Sequence, residues 1–235
     1  MTAIQHLRSA TALNPLKLVA IGDSFVYGYG DWEGGGWAER LKRHWQHPQQ
    51  EGHILYNLGV RGDTVRHLEQ RLETEFRQRG ELRRNVPDGL ILSVGANDSA
   101  RLGHANGRHY VSLDEFEEAI ARILTKAREF CPVWFVGMVP VDEAKMPFAG
   151  SVYYSHADQV LYNEAIREAC EQYGVPFLNC FARWNSRGEL WRKSRLLDDG
   201  LHPSVEGHKA VFNDLLDWPE FGQLLEKTGR VLAIA

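Results

Sequence analysis

The sequence has no apolar run of 18 residues, no lysine-rich tract and no C-x-x-C spacing, and each absence removes a class of protein. Without the apolar run, no integral membrane segment is expected. Lys and Arg total 27 against 31 Asp and Glu, a net charge of −4. A chain so balanced, with no basic tract, offers little surface for the counterion release that drives phosphate-backbone binding, so no nucleic-acid partner is expected. The cysteines Cys131, Cys170 and Cys180 are odd in number and far apart. They suggest neither a disulfide framework nor a zinc site, and reduced, buried thiols are expected. The first residues, Met1 to Arg8, lead into Ser9 to Lys17 without the apolar core of a secretory signal, and the expected compartment is cytoplasmic.

What is present is the composition of a folded globular chain: 235 residues, 43% hydrophobic and 25% charged. No repeat, low-complexity tract or Pro/Ser-rich linker divides it. The expectation is one domain over residues 1–235 with a core from about 17 to 216. Short apolar runs predict buried strands at Leu16 to Asp23, His53 to Val60, Gly89 to Val94, Val133 to Val139 and Val175 to Cys180. Between them, helical spacing predicts helices over Trp37 to Trp45, Val65 to Arg79, the segment LDEFEEAIARILTKAREF opened by Ser112, and Ala157 to Tyr173. Asp63 or Thr64 is the expected cap of the second helix. Regular βαβ alternation predicts an α/β fold: a three-layer, doubly wound sheet of about five parallel strands with helices on both faces. Three connections, Ser99 to Val111, Asp142 to Ser155 and Ala182 to Asp198, are long enough to form pocket walls.

The carboxyl ends of such strands are where ligands bind, and here they carry Gly22-Asp23-Ser24, Arg61-Gly62-Asp63 and Gly95-Ala96-Asn97-Asp98. Ser24 ends a buried strand, where its hydroxyl would be exposed beside free backbone N–H groups; alone it reads equally as a turn serine or a helix cap. The segment lacks the second glycine of G-x-S-x-G, and G-D-S-F-V-Y is not a dinucleotide loop. Asp199 stands three residues before His202, a separation that lets a carboxylate hold the ring Nδ1–H, with Asp198 as a rival. Asn97 could donate its amide to an oxyanion or form an Asx turn. Gly62 lacks a side chain, which allows close approach of its N–H. A metal set of Asp198, Asp199, His202 and His208 is the minor alternative, short of a third histidine. Phe25, Tyr27, Tyr29 and Trp32 are either pocket aromatics or loop packing.

Serine after the first strand, glycine after the second, asparagine after the third and Asp-x-x-His near the end form an ordered set that resembles the GDSL, or SGNH, family of serine hydrolases. The likeness runs from about Lys17 to Leu216 and includes the H-P-S-x-x-G-H segment ending at His208. It implies a flavodoxin-like fold, no cofactor, Ser24 as nucleophile with Asp199 and His202, and an oxyanion hole from the N–H groups of Ser24 and Gly62 and the Asn97 amide. It also implies hydrolysis of a small-molecule ester through an acyl-serine; the expectation of small or aryl esters comes from Arg61. A ligand-binding protein with a vestigial triad is the alternative. Phe25 stands where the family name has leucine. Arg61 stands where many relatives have a small residue, which makes it a possible substrate-binding group that would narrow the pocket.

Overall fold

A computed structural model describes residues 15–50, 52–80 and 86–232. In chain order the strands are β1 (Lys17–Gly22), β2 (Ile54–Gly59), β3 (Gly89–Ser93), β4 (Arg101–Leu102), β5 (Val133–Val136), β6 (Val152–Tyr153) and β7 (Phe177–Leu178). The helices are α1 (Ser24–Tyr27), α2 (Gly36–Trp45), α3 (Val65–Gln78), α4 (Leu113–Phe130), α5 (His156–Gln172), α6 (Cys180–Ser186), α7 (Glu189–Lys193), α8 (Val205–Leu216) and α9 (Pro219–Leu232). Five strands form one parallel sheet in the order β2-β1-β3-β5-β7, the doubly wound arrangement expected from the sequence.

Alternation along each strand divides the core. Val19 and Ile21 of β1 and Leu90 and Leu92 of β3 face a cluster with α3, α4 and α5, whereas Leu18, Ala20 and Ile91 face α2, α6, α8 and α9. β1 is buried along its whole length because strands pair with it on both edges and helices cover both faces. The second face is rich in tryptophan: Trp37, Trp134 and Trp184 are fully buried there. Strand order reverses between β1 and β3, so the crevice at their carboxyl ends is the switch point where doubly wound sheets bind ligands.

Some boundaries differ from the sequence reading for local reasons. β5 stops at Val136: Gly137 N–H still reaches the Leu178 carbonyl at 2.9 Å, but Met138 and Val139 leave the sheet to line the crevice. β7 is only two residues long because the Asn179 side chain accepts from Ala182 N–H and caps α6, turning Cys180 into a helix. The connection from Ala182 to Asp198 is therefore not a loop but most of α6 and all of α7, anchored by Trp184. The other two long connections pair with each other. β4 and β6 form an antiparallel ribbon, with Arg101 opposite Tyr153 and Leu102 opposite Val152. Thr64, not Asp63, caps α3, in a reciprocal arrangement with His67. Cys170 and Cys180 are buried and Cys131 is half-buried; all three are free thiols.

Candidate active site

Ser24 is the first residue of α1, whose N-cap Asp23 accepts from Phe25 N–H at 2.8 Å. The first helical residue has no intrahelical acceptor for its own N–H. Ser24 Oγ lies 3.0 Å from His202 Nε2, and His202 Nδ1 lies 2.7 Å from Asp199 Oδ2. The other Asp199 oxygen accepts from Leu201 N–H at 2.9 Å and His202 N–H at 3.0 Å. This tight turn passes through Gly200, whose φ of +70° is left-handed, and a Cβ there would meet Lys145 Cβ at 2.6 Å. Burial pushes the Asp199 carboxyl up, but the hydrogen bonds from His202 and Leu201 outweigh it and hold the group below the usual carboxylate range. The neighbouring Asp198 is exposed to solvent.

The structure thus brings Ser24, His202 and Asp199 into one hydrogen-bonded line. Tyr29 packs its ring against the buried His202 imidazole at a centroid distance of 4.5 Å, and Phe148 at 5.8 Å. Asn97 projects from the turn after β3. Its Nδ2 donates to the Asp63 carbonyl at 2.9 Å and is 3.4 Å from Asp23 Oδ2, while its Oδ1 accepts from Tyr154 Oη at 3.3 Å. Gly62 has a φ of +84° with no neighbour within 4 Å of a built Cβ, so backbone conformation rather than crowding asks for glycine.

A cavity of about 30 Å³ opens among Ser24, Asn97, Met138, Val139, Leu201 and His202. A larger cleft, about 470 Å³, lies between α3 and α4. Its charged walls are occupied with one another, Arg122 with Glu69 at 2.6 Å and Lys126 with Glu73 at 3.5 Å, and the Thr125 hydroxyl donates to the Ala121 carbonyl of its own helix at 2.8 Å.

The remaining sequence candidates separate. Phe25 lines the small cavity and packs on Trp37 and His208. Tyr27 and Trp32 point outward, 53% and 79% exposed. Arg61 is exposed, and its guanidinium lies over the Tyr29 ring, 4.2 Å from the centroid. Asp63, the partner a surface arginine here would seek, is instead engaged by Arg71 at 2.7 Å.

The metal alternative is not assembled. His208 Nδ1 accepts from Trp37 N–H at 3.2 Å and its Nε2 donates to the Tyr29 carbonyl at 3.1 Å, while both nitrogens of His202 are engaged by Ser24 and Asp199. Burial first, against the Tyr29 bond, pushes His208 down to about 4, the pKa of a neutral structural imidazole. Among the described residues, no group of three or more His, Cys, Asp or Glu could hold a metal ion, and no helix is long and apolar enough to cross a membrane.

Two acids escaped the sequence reading. Asp98 is fully buried, with Oδ1 accepting from Val65 N–H at 2.9 Å and Oδ2 without a partner. Burial above all, with Asp23 adding repulsion against the Val65 hydrogen bond, pushes it up to about 8. Burial likewise pushes Asp23 up to about 6, against the Phe25 hydrogen bond and the attraction of His202. Their adjacency to Ser24 and Asn97 in sequence was a signal, but their desolvation exists only in the fold.

The model of the GDSL-like lipase/acylhydrolase family matches residues 20–210. The chain belongs to that family. A GDSL esterase/lipase of Arabidopsis thaliana is 25% identical to this GDSL-like chain over 142 residues, 55% of this chain and 58% of that protein's length. The fold is similar to that of a lipase/acylhydrolase from Enterococcus faecalis, with a TM-score of 0.68 and 20% identity over 92% of this chain and 96% of that one. An acetylxylan esterase from Geobacillus stearothermophilus is similar at a TM-score of 0.66 and 20% identity, over 86% and 92% of the respective chains.

Proposed function

We propose that this GDSL-like chain hydrolyses carboxylic esters of small acyl groups through an acyl-serine intermediate on Ser24. The continuous line Ser24 Oγ, His202 Nε2, His202 Nδ1 and Asp199 Oδ2 carries this reading. With Nδ1–H donated to Asp199, the Nε2 lone pair faces the hydroxyl. His202 takes the Ser24 proton as Oγ attacks the ester carbonyl, and Asp199 stabilises the imidazolium that forms. Negative charge develops on the carbonyl oxygen, for which the Asn97 amide and the N–H groups of Ser24 and Gly62 are the donors. His202 then protonates the departing alcohol, and a water activated by the same imidazole cleaves the acyl-serine.

The acyl preference follows from size. A water-sized sphere takes about 10–15 Å³ of such space, so a cavity of about 30 Å³ holds two or three heavy atoms. That favours acetyl over a long acyl chain, whose remainder would have to lie along the open mouth of the cavity. The Geobacillus neighbour, an acetylxylan esterase, agrees with a two-carbon acyl group. No cofactor enters these steps.

The test is a fluorophosphonate, which labels an activated serine, followed by turnover on p-nitrophenyl esters of rising acyl length. Labelling confined to Ser24, lost in Ser24→Ala and His202→Ala, with acetate as the best substrate, is the expected result. A chain that takes no label and turns over no ester would instead be a ligand-binding protein on this fold.

A further inference from the structure

Tyr154 lies outside the family's four-residue pattern, on the ribbon formed by the two long connections. It stands between β6 and the Ser155 cap of α5, and Arg101 of the ribbon is pinned to Asp158 of α5 at 2.7 Å. Its ring belongs to a small core separate from the two that sandwich the sheet, shared with Ala100, Val141 and Leu201. Ala100 follows the turn that carries Asn97, and its N–H reaches the Asn97 carbonyl at 3.3 Å; Leu201 immediately precedes His202. The same small core therefore abuts both the oxyanion side and the acid–base side of the site.

Tyr154 is 5% exposed, and a buried phenol needs a partner for its hydroxyl. That partner is Asn97 Oδ1 at 3.3 Å. At the other end of the same amide, Nδ2 donates to the Asp63 carbonyl at 2.9 Å. An asparagine amide rotated by 180° exchanges oxygen for nitrogen. Rotation here would set Oδ1 against the Asp63 carbonyl and turn an acceptor toward the developing oxyanion. With the amide held as found, one Nδ2 hydrogen goes to Asp63, and the second faces only Asp23 Oδ2 at 3.4 Å, a contact an oxyanion can displace.

We propose that Tyr154 is a positioning residue for the ester hydrolysis, whose hydroxyl donates to Asn97 Oδ1 and fixes which face of the amide meets the oxyanion. The inference rests on the role given to Asn97 above. The phenol keeps the proton this requires, because burial, reinforced by Asp23, Asp98 and Asp199, pushes its pKa far above the usual tyrosine value. Tyr154 touches no reacting atom; it acts through Asn97.

The experiment is a double-mutant cycle of Tyr154→Phe and Asn97→Ala on p-nitrophenyl acetate, with active sites counted by fluorophosphonate titration so that misfolded chains drop out. Phenylalanine keeps the ring that packs on Phe148. Loss of one neutral hydrogen bond predicts a fall in kcat of about five-fold with KM unchanged. In the Asn97→Ala background, the same substitution is expected to change kcat no further. An equal loss in both backgrounds, a loss confined to KM, or an unchanged kcat in the single variant would each overturn the positioning role. A wild-type chain that hydrolyses no ester overturns the proposed function and this inference together; an active wild type matched by Tyr154→Phe overturns the inference alone.

Discussion

Asp199, beside His202, accepts three hydrogen bonds and is held below the usual carboxylate range, whereas Asp23 and Asp98, on the Asn97 side, are buried with fewer donors and pushed up to about 6 and about 8. The two sides of one small cavity thus treat the same functional group in opposite ways. Under the proposed mechanism, the side that stabilises an imidazolium needs a fixed negative charge, and the side that stabilises an oxyanion is harmed by one. A unit charge about 6 Å from an oxyanion, at an effective dielectric near 20, opposes it by about 3 kcal/mol. Keeping Asp98 protonated near neutrality removes one such opponent. Burial pushes Asp23 up less far: the Phe25 N–H and then the attraction of His202 both lower it, and Asp98 has a comparable N–H bond from Val65 but no such attraction from His202.

The comparison breaks most sharply on the acid–base side. Asp199→Asn is expected to lower kcat about 10⁴-fold by releasing the wrong imidazole tautomer, with KM little changed. The exposed neighbour serves as the control: Asp198→Asn should leave turnover within about two-fold, as substitutions away from partners usually do. Steady-state kinetics on both variants decide between the two carboxylates, and the reverse ranking would remove Asp199 from the line.

On the oxyanion side the loss should be smaller. Asn97→Ala is expected to cost about 10²–10³ in kcat, with KM unchanged, because one of the three proposed donors is removed and the others remain. A loss confined to KM would mean that the amide binds ground-state substrate only.

The sequence disclosed each side only in part. Ser24, Asp199 and His202, together with Gly62 and Asn97, were legible as candidates because strand ends, a three-residue spacing and one resemblance pointed to them. The sheet was legible for a related reason: strands buried on both faces are unbroken apolar runs that end in Gly-rich polar turns. The β4–β6 ribbon was not, because two-residue strands carry no alternation to detect and their pairing joins segments about 50 residues apart. Tyr154 and Asp98 stayed hidden for the same reason. Tyr154 meets Asn97 across 57 residues, and Asp98 meets Val65 across 33, so neither contact has a local pattern. The stretch from Ala182 to Asp198 reads as a long connection from sequence although Asn179 is a good capping residue; Trp184, packed against the sheet, supplies the anchoring that propensity alone does not reveal.

Burial of Asp98 is open to a stability measurement that needs no substrate. Its folded pKa of about 8 stands above the ordinary value of 3.8, so its contribution is fully present below about pH 4 and is lost as pH rises through about 8. Asp23 adds the same sign between about 4 and about 6. Asp98→Asn keeps an oxygen for Val65 N–H and removes the titration. Urea unfolding at pH 5, 7 and 9 should show the wild type losing stability toward pH 9 and the variant following a flatter course. Parallel curves for the two chains would mean that Asp98 is better solvated than its burial suggests.

The smallest expected effect belongs to Arg61, which lies outside both sides of the comparison. A long cation beside Gly62 raised the expectation of a narrowed acyl pocket, yet the residues that bound the small cavity are Met138, Val139, Leu201 and their neighbours, and the guanidinium instead lies on Tyr29. Tyr29 in turn packs edge-on to His202, so Arg61 reaches the site through one ring. An exposed cation–π contact is worth about 0.5–1 kcal/mol, which sets the scale at a few-fold in rate. Arg61→Gly should therefore leave the ranking of acyl lengths unchanged and lower kcat/KM by about two- to five-fold across the series. Arg61→Lys should recover part of the loss, since an ammonium also sits over a ring but without the planar stack. A shift of the optimum from acetate to longer acyl esters in Arg61→Gly would show that the side chain swings into the cavity with substrate bound, and the small-acyl preference would then belong to Arg61 rather than to the cavity walls.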